Sequence, residues 1–100
     1  MTPADALSLL SRSEPPPGAT PGMMALWHEM RGDWGAAHHC VTAASDADGM
    51  WVHAYLHRRE GDLGNARYWY ARAKKPPCEG SLDAERAEIA VALLAKGAGA

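Results

Sequence analysis

The hydrophobic pattern along the chain has the period of helices. Toward the C-terminus, Leu82, Ile89, Ala90, Leu93 and Leu94 fall on one side of a helical wheel. Asp83, Glu85, Arg86 and Glu88 fall on the other, which predicts an amphipathic helix over about 82–96. Residues 49–60 are apolar around much of their circumference. Met50, His53, Ala54 and His57 share one face, Trp51, Tyr55, Arg58 and Arg59 a second, and Val52 and Leu56 a third. Such a helix belongs at the centre of a fold. Near the N-terminus, Leu7, Leu9 and Leu10 are the large apolar residues of a short helix over about 3–12. Thr2 is its candidate cap, Pro3 its first position and Asp5 its first-turn acid.

Punctuation between these patterns sets the remaining elements. Ser13 to Ala19 contains Pro15, Pro16 and Pro17, so residues 13–20 predict a polyproline-like spacer after the first helix. Thr20-Pro21 opens a helix to about Arg31. Gly32-Asp33 ends it and caps the next, which runs to about Ala44. A turn over Ser45 to Gly49 leads into the helix ending at Glu60. Gly61-Asp62 then repeats the glycine–aspartate device before a helix from Leu63 to about Lys74, which Pro76 and Pro77 stop. Ser81 or Asp83 starts the last helix, which should end before Gly97 and leave a tail over 97–100. The expected fold is all-α, with five or six helices. Composition agrees: alanine supplies 20 of 100 residues, and valine, isoleucine and threonine together only 7. Four Trp, three Tyr and a net charge of −2 separate the chain from disordered sequences.

One period runs through the middle of the chain. Gly32, Asp33, Trp34, Ala37, Val41 and Ala44 align with Gly61, Asp62, Leu63, Ala66, Tyr70 and Ala73 at a constant offset of 29. Each unit is a helix, a Gly-Asp turn and a second helix. The alanines seven apart mark a close helix crossing where only a small side chain fits. These residues, with Pro76 and Pro77 near the end of the second unit, resemble a tetratricopeptide repeat. The segment Ala66-Arg67-Tyr68-Trp69-Tyr70-Ala71-Arg72-Ala73 also resembles the second helix of a Sel1-like repeat. The stretch from Trp51 to Tyr70 is similar to one in uncharacterised bacterial proteins, which implies no function. The resemblance covers about residues 21–77. It departs from the family in its period, 29 against about 34, and in His28 and His57 at the usual tyrosine slot. It implies two short hairpins, about 21–48 and 49–77, within a domain over 21–96. The helices over 1–12 and 82–96 would act as caps, or the first would reach a second subunit through its linker. Two hairpins alone leave bare end faces.

Charge and composition exclude several classes. No apolar run approaches the ~20 residues of a membrane span, and Met1 to Asp5 lack a signal-peptide start. The chain is therefore expected to be cytoplasmic, with Cys40 and Cys78 as reduced thiols. A near-neutral balance argues against a dedicated nucleic-acid binder. The charge is uneven, however: Arg58, Arg59, Arg67, Arg72, Lys74 and Lys75 face only Glu60 and Asp62 within 58–75, which favours an acidic partner.

Three functional readings remain. By the resemblance, Trp51, Tyr55, Arg58 and Arg59 fall on the side that lines a peptide groove, and aromatic and arginine side chains make binding hot spots. That implies a non-enzymatic module for a protein or peptide partner. A homo-oligomeric structural domain, burying that face or the Leu7/Leu9/Leu10 helix against another copy, is the second. The third is metal binding: His53 and His57, four apart, can converge on one ion, with His28 in the equivalent slot of the first unit. No complete ligand set is evident, so the pair is expected to be structural. His38-His39-Cys40 cannot all face one ion, since adjacent helical residues diverge by about 100°. Glu29 and Glu60 end their helices at corresponding positions and are expected to be solvated. No phosphate loop, nucleophile elbow or cofactor motif is present, and no enzyme activity is implied.

Overall fold

The computed structural model describes residues 1–99. Six helices follow one another, with no strand among the described residues: α1 (Pro3–Leu10), α2 (Pro21–Met30), α3 (Trp34–Val41), α4 (Ala47–Glu60), α5 (Leu63–Ala73) and α6 (Leu82–Gly99). Their starts are set by capping side chains. Thr2 and Asp5 form a reciprocal capping box at 3.1 Å in both directions. Thr20, Asp33, Asp46, Asp62 and Ser81 each accept from the backbone N–H three residues on. Each such cap contributes about 1 kcal/mol.

α2–α3 and α4–α5 are helical hairpins with matching turns. Gly32 and Gly61 take left-handed φ values of 78° and 90°, which L side chains avoid. The following aspartate N–H groups donate back to His28 O at 3.0 Å and His57 O at 2.9 Å. The two devices at offset 29 are thus the same turn. Ala37, Ala66 and Ala73 are at most 3 % exposed, as a close crossing requires, and Val41 and Tyr70 are buried on the same stripes, whereas Ala44 lies beyond the end of α3 and is only half-buried. α4 is the central helix: residues Trp51 through His57 are all buried.

The flanking helices do not sit where end caps would. α6 packs on α1, α2 and α4, along the face made by the first helix of each hairpin. Ile89, Ala90, Leu93 and Leu94 fill that face. α2 and α6 approach so closely that a Cβ added at Gly22 would stand 2.9 Å from Leu93 Cδ2. α1 lies mainly against α6, with Ala6 and Leu10 fully buried. The proline tract therefore does not release α1 as a separate unit. The Trp27 indole donates to Arg12 O at 3.1 Å, and the Arg31 guanidinium donates to Leu10 O at 2.9 Å and also to Arg12 O. Arg31 stacks over the Trp27 ring at 3.7 Å. Of the tail expected over 97–100, residues 97–99 continue α6, and Ala100 lies outside the described residues. No described helix is long and apolar enough to cross a membrane.

Candidate functional site

The four residues expected to line a groove lie beneath α6 instead. Trp51 is 5 % exposed and Tyr55 fully buried, while Arg58 and Arg59 are spent on internal ion pairs. Glu85, on what the sequence places as the polar side of the last helix, points inward and is 1 % exposed. It accepts from Tyr70 Oη at 2.5 Å, Arg58 at 2.9 Å and Trp51 Nε1 at 3.4 Å. Arg58 also donates to Gly80 O. Glu29, expected to be solvated, is 6 % exposed. It accepts from Tyr55 Oη at 2.9 Å, from Arg86 at 2.6 and 2.9 Å, and pairs with Arg59 at 3.2 Å. A buried carboxylate needs this many donors to remain ionised. Burial first, and then the bonded carboxylates, raise both phenols well above the ordinary tyrosine range. The Trp51/Tyr55/Arg58/Arg59 face holds α6, so Trp51 and Tyr55 are covered and the four residues do not line one open groove. The periodicity missed this because a charged residue on a wheel's polar side is assigned to water unless its partner is known.

The histidines form a second constellation, with a different membership from the expected one. His28 remains on α2, edge-on to Trp27 at 5.1 Å. Its place beside His53 and His57 is taken by His38 of α3. His38 and His53 bring their Nε2 atoms to 3.2 Å. The ring centroids of His57 lie 5.2 Å from His38 and 4.9 Å from His53. Two tryptophans hold the cluster in place: Trp34 stacks on His38 at 4.8 Å and Trp69 on His53 at 3.9 Å. Trp34 is itself fixed by donating to Leu56 O at 2.7 Å. His57 Nδ1 pairs with Glu60 at 2.7 Å. His53 Nδ1 is buried without a hydrogen-bond partner of ordinary geometry. Burial, then His57 and His38, push the His53 pKa down to about 4, against a small opposing effect of the Val41 backbone. His38 is lowered by the same first cause and by His57. Both shifts favour the neutral ring, whose unprotonated nitrogen carries a lone pair. The signal for His38 was in the sequence: Trp34, His38 and Val41, spaced four and three, share the stripe that faces α4.

A third surface is exposed. α5 packs chiefly against α4 and reaches α6 through the Tyr70–Glu85 hydrogen bond. Leu63 and Tyr68 are 54 % and 55 % exposed, and Arg67, Arg72, Lys74 and Lys75 are exposed along α5 and just past its end. Among the described residues none of these four cations forms an ion pair. Arg72 instead lies 4.9 Å from the Trp69 ring centroid and donates to Tyr68 Oη at 3.4 Å. Lys75 lies 4.1 Å over Trp51. A shallow cleft beside them is lined by Leu63, Arg67, Pro77 and Cys78. No family model, curated protein or solved structure matches this chain. Its function therefore has to come from the chemistry of these three surfaces.

Proposed function

We propose that the chain is a non-enzymatic interaction module, of the tetratricopeptide-like kind, that docks an acidic polypeptide segment on the outer face of α5. One observation carries the reading: Arg67, Arg72, Lys74 and Lys75 are exposed and without an acid partner, although Arg58, Arg59 and Arg86 are all paired. The basic excess over 58–75 thus resolves into two spent cations, Arg58 and Arg59, and four available ones. Exposed Tyr68 and Leu63 of α5 add the apolar contact that binding hot spots use. Arginine held against aromatic rings keeps its outer N–H groups for carboxylates. The two deeply buried carboxylates are tied up by arginines and tyrosines, which favours binding over acid–base chemistry. Two free thiols fit a cytoplasmic setting.

The test is fluorescence anisotropy with a labelled peptide of alternating glutamate and leucine, against a lysine–leucine control. The acidic peptide should bind, lose affinity as salt rises, and lose it at least tenfold in Arg67→Glu/Arg72→Glu with helical circular dichroism unchanged. Equal binding by that variant, or by the lysine control, overturns the reading. Concentration-dependent dimerisation abolished by Tyr68→Glu would replace it with a second copy of the chain as the occupant.

A further inference from the structure

We propose that His38, His53 and His57 form a binding site for one zinc-class divalent transition metal ion per chain. The three side chains each offer a ring nitrogen, and these ligand atoms all lie within 4.8 Å of one another. A tetrahedral zinc site with Zn–N bonds of about 2.05 Å places its nitrogens roughly 3.3 Å apart. The 3.2 Å between His38 Nε2 and His53 Nε2 already has that spacing. His57 belongs to the same cluster: its ring centre is about as near to that of His53 as that of His38 is, 4.9 against 4.8 Å.

The surroundings have the features that orient metal ligands. Glu60 holds His57 Nδ1 at 2.7 Å and so leaves Nε2 as the nitrogen free to ligate. A carboxylate in that position fixes the tautomer and raises the basicity of the ligating nitrogen. The Trp34 and Trp69 stacks fix the planes of His38 and His53. The unpartnered Nδ1 of His53 is a second, independent sign: an imidazole buried with one nitrogen unsatisfied and the other against a second imidazole lacks a full set of partners. Metal ligation at Nε2 would make Nδ1–H the donor. Three imidazole nitrogens with no thiolate among them suit zinc, copper or nickel over magnesium or calcium. His38, the least buried of the three, marks the side open to solvent, and water would take the fourth position there.

The experiment uses the whole chain, stripped with EDTA and titrated with zinc by calorimetry, with magnesium as control. One zinc per chain should bind and raise the melting temperature; magnesium should do neither. His38→Ala, the variant least able to disturb the core, should weaken zinc at least tenfold. Glu60→Gln should weaken it about tenfold or more. His28→Ala and His39→Ala should leave it unchanged. Cobalt loaded in place of zinc should give the intense visible bands of a tetrahedral site. Nitrogen-15 spectra should show the imidazole signals of His38, His53 and His57 moving on zinc addition. Absence of stoichiometric zinc binding overturns the proposal. So does binding that survives His38→Ala in a protein that still folds, or that disappears in His39→Ala.

Discussion

Glu85→Ala should be among the most damaging single changes in this protein, and the reason is local. Truncation removes the acceptor for Tyr70 Oη at 2.5 Å, for Arg58 at 2.9 Å and, weakly, for Trp51 Nε1 at 3.4 Å. Tyr70 is 1 % exposed and cannot turn to water, so its orphaned hydroxyl costs about 1–3 kcal/mol. Breaking a buried pair by removing one partner costs roughly 3–5 kcal/mol when the remaining charge stays buried. Arg58, with a side chain 15 % exposed and a bond to Gly80 O, can relax partly toward solvent and lies below that range. The expected loss is about 3–5 kcal/mol in total, a large share of the roughly 5–15 kcal/mol that stabilises such a domain. For a chain of 100 residues that lowers the melting temperature by about 12 °C or more.

The assay is urea unfolding followed by circular dichroism, with Tyr70→Phe alongside. That single change should cost about 1.5–3 kcal/mol, because the lost bond goes to a charged group. The two changes share a partner, so together they should cost less than their sum by about 0.5–3 kcal/mol. If Glu85→Ala moves stability by less than about 1 kcal/mol, the carboxylate behaves as an exposed ion pair does, and the face under α6 does not lock that helix in place.

Further outcomes follow from other parts of the molecule. Leu10→Ala should cost about 2–5 kcal/mol in urea unfolding, because the side chain is fully buried, whereas a helix held only by a loose linker would show almost none of that. Gly49→Ala should destabilise by about 1–3 kcal/mol, since the new Cβ would stand 2.5 Å from that of Ala44, while Gly64→Ala meets nothing within 4 Å and should stabilise α5 by about 0.5–1 kcal/mol. In EDTA, stability should fall as pH drops from about 6.5 to about 4. The unfolded His53 takes its proton in that window, while the folded one, buried and facing His38, His57 and Arg72, does not until about 4. The full difference is about 3 kcal/mol, and His53→Gln should flatten the slope of a urea-midpoint series across that range.

Helix content and turns were legible because their determinants are local. Thr2, Thr20, Asp33, Asp46, Asp62 and Ser81 cap whatever follows them, wherever the helix later packs. Gly32 and Gly61 fix their turns by backbone conformation alone. Ala66 and Ala73, seven apart, announced a close crossing because only size decides what fits there; in the first unit only Ala37 does so, since α3 ends before Ala44. The position of α6 was not legible in the same way. An amphipathic stripe says that a helix is covered, not by which neighbour, and α6 could seal the end of the hairpins or their inner face with the same Ile89/Leu93 stripe. Once it lies on the inner face, Glu85 and Arg86 meet Arg58 and Glu29, and residues with the composition of a binding hot spot become a core network.

The offset of 29 also explains why equivalent positions acquire different chemistry. His38 and Arg67 occupy the same place on the second helix of their units. α3 has α2 on one side and α4 on another, so the side chain at 38 meets His53 and His57 of the following hairpin. α5 has no following hairpin against its outer side, so the side chain at 67 meets solvent. A histidine fits the first environment, where burial favours a neutral ring, and an arginine the second, where charge costs nothing. The interior position between hairpins thus yields the candidate metal site, and the same position at the end of the stack yields part of the candidate docking face. Exchanging them separates the two: His38→Arg places a cation against two buried imidazoles and should destabilise the fold. Arg67→His should leave stability within about 0.5 kcal/mol, as surface substitutions do, while weakening the acidic peptide. If both exchanges are silent in urea unfolding, α3 is not wedged between the hairpins.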